Sequence, residues 1–211
     1  MKIYKYSDYN EYKDAQARAN RRKLNWVWAG KNEIKSISEY LKKNLPSALF
    51  GICHGSRNSM EVKWFREFLG IEVIGTDISE TAKNFLHTIQ WDFHEVKDEW
   101  IGSVDFIYSN SLDHSYDPEM CIDQWMKCIK NDAFCFIEWT REHIPSNSTD
   151  PFGGTRRNYM NLIKKKYQIQ DVLIINSKLL DKDEEELKKN DFIRVSRHLD
   201  RHIFVIKHRK T

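Results

Sequence analysis

Residues 50–65 read FGICHGSRNSMEVKWF. The apolar run ALFGIC (48–53) predicts a buried strand, and the small and polar residues after it predict a tight loop. Met60, Trp64, Phe65 and Phe68 then share one helical face. Asn58 or Ser59 can cap that helix, and Gly70 can stop it. A strand that passes through a short loop into a helix is the layout of a nucleotide-binding turn. Here, however, Cys53 stands between Gly51 and Gly55, so there is no glycine triplet. In a dinucleotide site the middle glycine lets the backbone approach a pyrophosphate; a cysteine there suits a ligand without phosphates, and argues against a nicotinamide-dependent oxidoreductase.

Further strands are expected downstream over IEVIGTDIS (71–79), FLHTIQWDF (85–93), VDFIYSNS (104–111) and AFCFIEW (133–139). DPEMCIDQWMKCIKN (117–131) has clear helix signals: Asp117 as cap, Pro118 in first place, Glu119 against the dipole, apolar residues at Ile122, Trp125, Met126 and Ile129, and Asn131 at the end. A long loop (140–154), a helix (155–167) and an extended run, DVLIINS (171–177), follow. DKDEEELKKN (181–190) reads as a solvated loop or short helix. FIRVSRH and RHIFVIKH read as a hairpin turning at Leu199 and Asp200. On the N-terminal side, residues 1–47 are polar and helical, with Ile34, Ile37, Tyr40, Leu41 and Leu45 on one stripe. Strands alternating with helices predict a parallel sheet covered on both faces, with antiparallel strands at its end.

The chain of 211 residues, 40% hydrophobic and 13% aromatic, suits one ordinary core rather than disorder. No apolar run is long enough for a membrane span, and the first residues do not form a signal peptide. The four cysteines, Cys53, Cys121, Cys128 and Cys135, form no CxxC pair, so reduced thiols in a cytoplasmic protein and no metal site are expected. A net charge of +3 demands no nucleic-acid partner.

In such a sheet ligands lie beyond the carboxyl ends of the strands. Polar residues gather there in GICHGSRNS, GTDIS, QWDFHE and SNSLDHS. Asp77 lies 22 residues beyond Gly55, where an acid accepts ribose hydroxyls; it could equally cap the segment DISETAKNF. Asp92, between Trp91 and Phe93, could accept the exocyclic amine of adenine or simply turn the chain.

Gly51, Gly55, Asp77, Asp92 and the stretch SNSLDHSYDPEMCIDQWMKCIKNDAFCFIEW (109–139) resemble the class I S-adenosylmethionine-dependent methyltransferases. Laid on the family's acid-x-Gly-x-Gly-x-Gly motif, Leu49 takes the acid's place, Gly51 the first glycine, Cys53 the second and Gly55 the third. Lys130-Asn131-Asp132 would form the polar turn before strand five, where the family often has Pro-Gly-Gly. The resemblance implies a Rossmann-like three-layer α/β sandwich. Its mostly parallel seven-stranded sheet would end in an antiparallel hairpin, with extra N-terminal helices (1–44) as a lid or recognition element ahead of the methyltransferase domain (45–211). It implies S-adenosylmethionine as cofactor, leaving S-adenosylhomocysteine, bound by Gly51, Cys53, Gly55, Arg57, Asp77, Ile78, Asp92, Phe93, Asn110 and Ser111. His114 and Glu138 are the expected catalytic bases, with His54, Asp113 and His143 as further groups at hand. A small-molecule acceptor fits best, with no membrane and no nucleic-acid partner required and a homodimer allowed. Two alternatives stay open: a protein or RNA acceptor met by Arg18, Arg21, Arg22 and Lys23, and a non-catalytic or partner-dependent cofactor-binding protein.

Overall fold

The computed structural model describes residues 1–176, 181–195 and 200–209, the side chains of 181–184 excepted. Its main sheet contains β1 (Phe50–His54), β2 (Glu72–Asp77), β3 (Thr88–Gln90), β4 (Val104–Ser109), β5 (Ile129–Trp139), β6 (Gln168–Asn176) and β7 (Asp200–Lys207). The spatial order is β3-β2-β1-β4-β5-β7-β6. Every pairing from β3 to β5 is parallel, whereas β7 runs antiparallel to both β5 and β6. The sheet is therefore mixed. The helices are α1 (Tyr9–Arg22), α2 (Lys31–Asn44), α3 (Met60–Leu69), α4 (Pro118–Cys128), α5 (Arg156–Lys164) and α6 (Asp181–Lys189).

Alternation along β1 shows how both faces are covered. A Cβ added to Gly51 would lie 2.1 Å from Phe106, whose ring meets Phe65 of α3 at 5.0 Å. His54 points the other way and stacks on Trp125 of α4 at 5.1 Å and 22°. α2 packs outside α3 and buries Ile34, Ile37 and Leu41 almost completely. At roughly 1.5–3 kcal/mol for each such side chain, that stripe anchors α2 to the core. α4 starts as the sequence dictates: Asp117 accepts the Met120 N–H at 3.0 Å, and Pro118 opens the first turn.

Three expectations are corrected. First, α4 stops at Cys128 and β5 begins at Ile129, so Lys130-Asn131-Asp132 lie in a strand rather than a turn. Lys130 is held there by Asp105, 2.7 Å away. Second, only a 3-10 turn (Glu80–Asn84) separates β2 from β3, so the helical layer is thin at that edge. Third, the hairpin joins different segments. Ile193–Arg194 pairs in parallel with Trp26–Val27, and β7 takes its antiparallel partner from β6, with α6 in the connection; Leu199 lies outside the described residues. Buried Arg194 pairs with Glu33 of α2 at 2.8 Å, an ion pair made with its segment beside Trp26–Val27.

The N-terminal residues are stitched into this frame. Lys2–Ile3 pairs with Phe152–Gly153. Glu33 also meets Arg201 of β7 at 3.0 Å, and Arg201 in turn pairs with Glu138 of β5. Among the described residues, no helix is long and apolar enough to cross a membrane. All four cysteines are free and buried.

Candidate functional site

β1 and β4 are neighbours whose chains leave in opposite directions, and a crevice opens at their carboxyl ends. The loop after β1 is tightly wound. Gly55, Arg57 and Ser59 have φ of 70°, 43° and 60°. At Gly55 both the positive φ and space require glycine: a Cβ would lie 2.6 Å from that of Ser111 on the loop after β4. Asp77, at the tip of β2, braces this turn. One carboxylate oxygen accepts the Arg57 N–H at 3.1 Å and the other the Ser79 N–H at 2.9 Å. Burial raises the Asp77 carboxyl above its usual range even against those two bonds and the Arg57 charge.

Asp92 sits past β3 in a similar brace. Its Oδ1 accepts the His94 N–H at 2.9 Å and faces His94 Nδ1 at 2.7 Å, while His94 Nε2 meets Ser115 Oγ at 2.7 Å. The order Ser–His–Asp is that of a nucleophilic triad, but Ser115 is 0% exposed. The chain therefore orients Asp92 and does not attack a substrate. Its Oδ2 accepts the Tyr9 hydroxyl at 2.8 Å. Burial would raise the Asp92 carboxyl, yet His94 and Tyr9 together hold it below its usual range.

Two adjoining cavities result. The first is lined by Gly55, Arg57, Asp77, Ile78, Asp92, Phe93, Ser111 and His114 from the sheet, and by Tyr12, Gln16, Ala19 and Asn20 of α1 with Lys23 beyond it. α1 leaves it about 50 Å³. The second, about 220 Å³, shares Lys23, Arg57, Ser111 and His114 and adds Trp26, Trp28, Asn110, Asp113, Glu142, His143 and Asp150. His114 stands at the junction. Its Nδ1–H donates to the Thr149 carbonyl at 2.7 Å, which leaves Nε2 as the basic nitrogen of the neutral ring. The 140–151 loop is clamped from the N-terminus: Tyr6 donates to the Ser148 carbonyl at 2.8 Å and Gln16 to that of Thr149 at 3.2 Å.

The structure brings together most of the residues singled out by the sequence, with five exceptions. Asn110 belongs to the second cavity, where its amide donates to Glu61 at 3.2 Å; burial pushes the Glu61 carboxyl up to about 7. Gly51 and Cys53 lie inside β1, opposite Phe106 and Tyr108, and face the core rather than the cleft. Glu138 is 0% exposed and accepts from Trp28 at 2.9 Å, from Tyr108 at 3.0 Å and from Arg201. So saturated, it faces neither cavity. His54, also considered as a base, is buried, and burial lowers its pKa to about 3. The α1 contributors were missed, although Tyr12, Gln16, Ala19 and Asn20 recur at the spacing of one helical face.

No family model and no curated protein sequence matches the chain. Solved structures do. A Burkholderia thailandensis 1,6-didemethyltoxoflavin N1-methyltransferase with bound S-adenosylhomocysteine matches with a TM-score of 0.67 and 11% identity over 98% of this chain and 93% of its own. A Streptomyces coelicolor A3(2) geranyl diphosphate C-methyltransferase, also holding S-adenosylhomocysteine, gives 0.63 and 10% over 94% and 98%. The [4+2]-cyclase SpnF gives 0.57 and 10% over 84% and 81%. The chain thus has the class I fold of S-adenosylmethionine-dependent methyltransferases, a mixed seven-stranded sheet between helices.

Proposed function

We propose that the protein is an S-adenosylmethionine-dependent methyltransferase acting on a small molecule. The observation that carries this reading is the convergence of Gly55, Asp77, Asp92, Phe93 and Ser111 on one cleft at the switch point of the sheet. The structural neighbours that hold S-adenosylhomocysteine support the cofactor. Asp77 would take the ribose hydroxyls, Asp92 the adenine amine beside Phe93, and the loop after Gly55 the methionine portion, with Arg57 near its carboxylate. The acceptor would enter the second cavity, which meets the first at Ser111 and His114. Methyl transfer is an in-line displacement on a carbon already activated by positive sulfur, so alignment is the protein's main contribution, in favourable cases about 7–11 kcal/mol. His114 Nε2 would take a proton from an acceptor that carries one.

A space of about 50 Å³ is well below the roughly 300–1,000 Å³ of ligand pockets, so α1 must lift before a nucleoside enters. The Tyr9–Asp92 hydrogen bond then acts as a latch, because it occupies an oxygen intended for adenine. The test is calorimetric titration with S-adenosylmethionine and S-adenosylhomocysteine, for wild type and Asp77→Ala. Micromolar binding lost in the variant supports the reading; absence of binding by wild type removes it. The SpnF likeness favours a second reading, a cofactor-binding protein of this fold that carries out other chemistry. Cofactor binding without methyl loss across an acceptor panel would favour it.

A further inference from the structure

Asp113 is unusual among the carboxylates of the second cavity. It lies in the short turn Leu112–His114 and is only 6% exposed. Among the described residues its Oδ1 is fully buried and has no hydrogen-bond donor. A buried carboxylate is stable only if paired, hydrogen-bonded or bound to a cation. Beside it stand His114 and Asp150, and one ligand atom from each of the three lies within 4.8 Å of the others. Both neighbours are oriented from behind. The Nδ1–H of His114 donates to the Thr149 carbonyl, so its other nitrogen is a free lone pair. Asp150 Oδ2 accepts from Asn147 at 2.9 Å and Thr149 at 3.2 Å, while its Oδ1 lies 3.7 Å from His114 Nδ1, the nitrogen already bonded to Thr149. Imidazoles and carboxylates that ligate metals are held by outer hydrogen bonds of this kind.

We propose that Asp113, His114 and Asp150 bind a divalent transition-metal cation in the wall of the second cavity. Two carboxylates neutralise a dication. One imidazole among them favours Mn²⁺, Fe²⁺ or Zn²⁺ over the harder Ca²⁺ and Mg²⁺. Three protein ligands leave coordination positions open towards the cavity, and these suit an acceptor that presents a hydroxyl or phosphate oxygen. This last point rests on the methyltransferase reading; the cation site itself does not. With a cation bound, His114 would serve as a ligand and not as the base; the cation would lower the pKa of an acceptor hydroxyl, whose proton would then pass to bulk water. Lys23 and Arg57 line the same cavity and compete electrostatically, so affinity should be moderate.

The test is Mn²⁺ binding to the whole chain, followed by electron paramagnetic resonance of the free ion, without cofactor or acceptor. Wild type should bind one equivalent. Asp113→Asn and Asp150→Asn should each weaken binding at least about tenfold, since even outer partners of metal ligands are worth that much. Asp150 is the more exposed, so its variant keeps the test valid should Asp113→Asn fail to fold. No uptake by wild type at millimolar Mn²⁺, or equal uptake by a folded variant, overturns the proposal. S-adenosylhomocysteine titration separates the two readings: cofactor binding without Mn²⁺ uptake removes only the cation site, and the reverse removes only the methyltransferase.

Discussion

Replacing Asp77 by Asn tests the cofactor assignment at the residue that best joins sequence to site. The carboxylate has two duties. Towards the protein it accepts the N–H groups of Arg57 and Ser79. Towards the cleft its remaining lone pairs face the position assigned to a ribose. An asparagine keeps one accepting oxygen and turns an NH₂ towards the other partner. If that partner is Arg57 N–H, a buried donor is left without an acceptor, at about 1–3 kcal/mol of stability. Hydrogen bonds from two ribose hydroxyls to a carboxylate are worth roughly 1.5–3 kcal/mol each. Losing one or weakening both predicts an affinity for S-adenosylhomocysteine lower by about 10- to 100-fold at 1.4 kcal/mol per factor of ten. Urea unfolding and calorimetry measure the two effects separately. An analogue without the ribose hydroxyls refines the test: wild type should bind it about as weakly as the variant does, and the variant should bind both ligands alike. A folded variant that binds S-adenosylhomocysteine within threefold of wild type would refute the assignment and leave Asp77 as a brace for the loop.

Other consequences can be measured on the same protein. Tyr9→Phe removes the latch on Asp92; cofactor association in stopped-flow should quicken several-fold, and stability should fall by only about 1 kcal/mol because Tyr9 is 44% exposed. An unchanged association rate would show that α1 does not gate the cleft. His54 is buried with its pKa lowered to about 3 against an ordinary 6.5, so its contribution is present above pH 6.5 and is lost as pH falls. At pH 5 the loss amounts to about 2 kcal/mol, and His54→Phe, which keeps the stack on Trp125, should flatten stability between pH 7 and 5. Glu138→Gln should destabilise by about 3 kcal/mol, since it leaves one side of a buried ion pair, yet leave the turnover of the folded protein unchanged. A collapse of turnover without loss of stability would return Glu138 to the list of bases.

Much of the fold was legible because its signals are local. The Asp117-Pro118 start of α4, the apolar runs of β4 and β5 and the small-residue turn after β1 are set by neighbours in sequence, and each stands where expected. The final pairing was not. FIRVSRH and RHIFVIKH have the composition of a hairpin, but Ile193–Arg194 lies beside Trp26–Val27, where Arg194 meets Glu33, 161 residues away. Single-sequence periodicity does not register an ion pair across that separation. The same holds for α1: its polar, helical character was visible, but its position over the crevice depends on long-range contacts such as Tyr9 to Asp92 and Asn20 to Thr81.

The site shows a sharper division, and strand geometry explains it. Side chains inside a parallel ladder alternate between the two faces of the sheet and meet helices; only residues at or beyond the last paired position can point along the strand axis into a crevice. Gly51 pairs with Phe106, Cys53 with Tyr108 and Glu138 with Ile203, so each is committed to a face before the strand ends. Gly55, Ile78, Asp92, Ser111 and His114 all follow the last residue of their strands, and all line the cleft; Asp77 is the final residue of its own. Matching motif letters to glycines and acids treats these positions alike. Counting from the last paired residue separates them without reference to any relative, and it also singles out Asp113, which stands beyond β4 with a buried oxygen that no described donor meets.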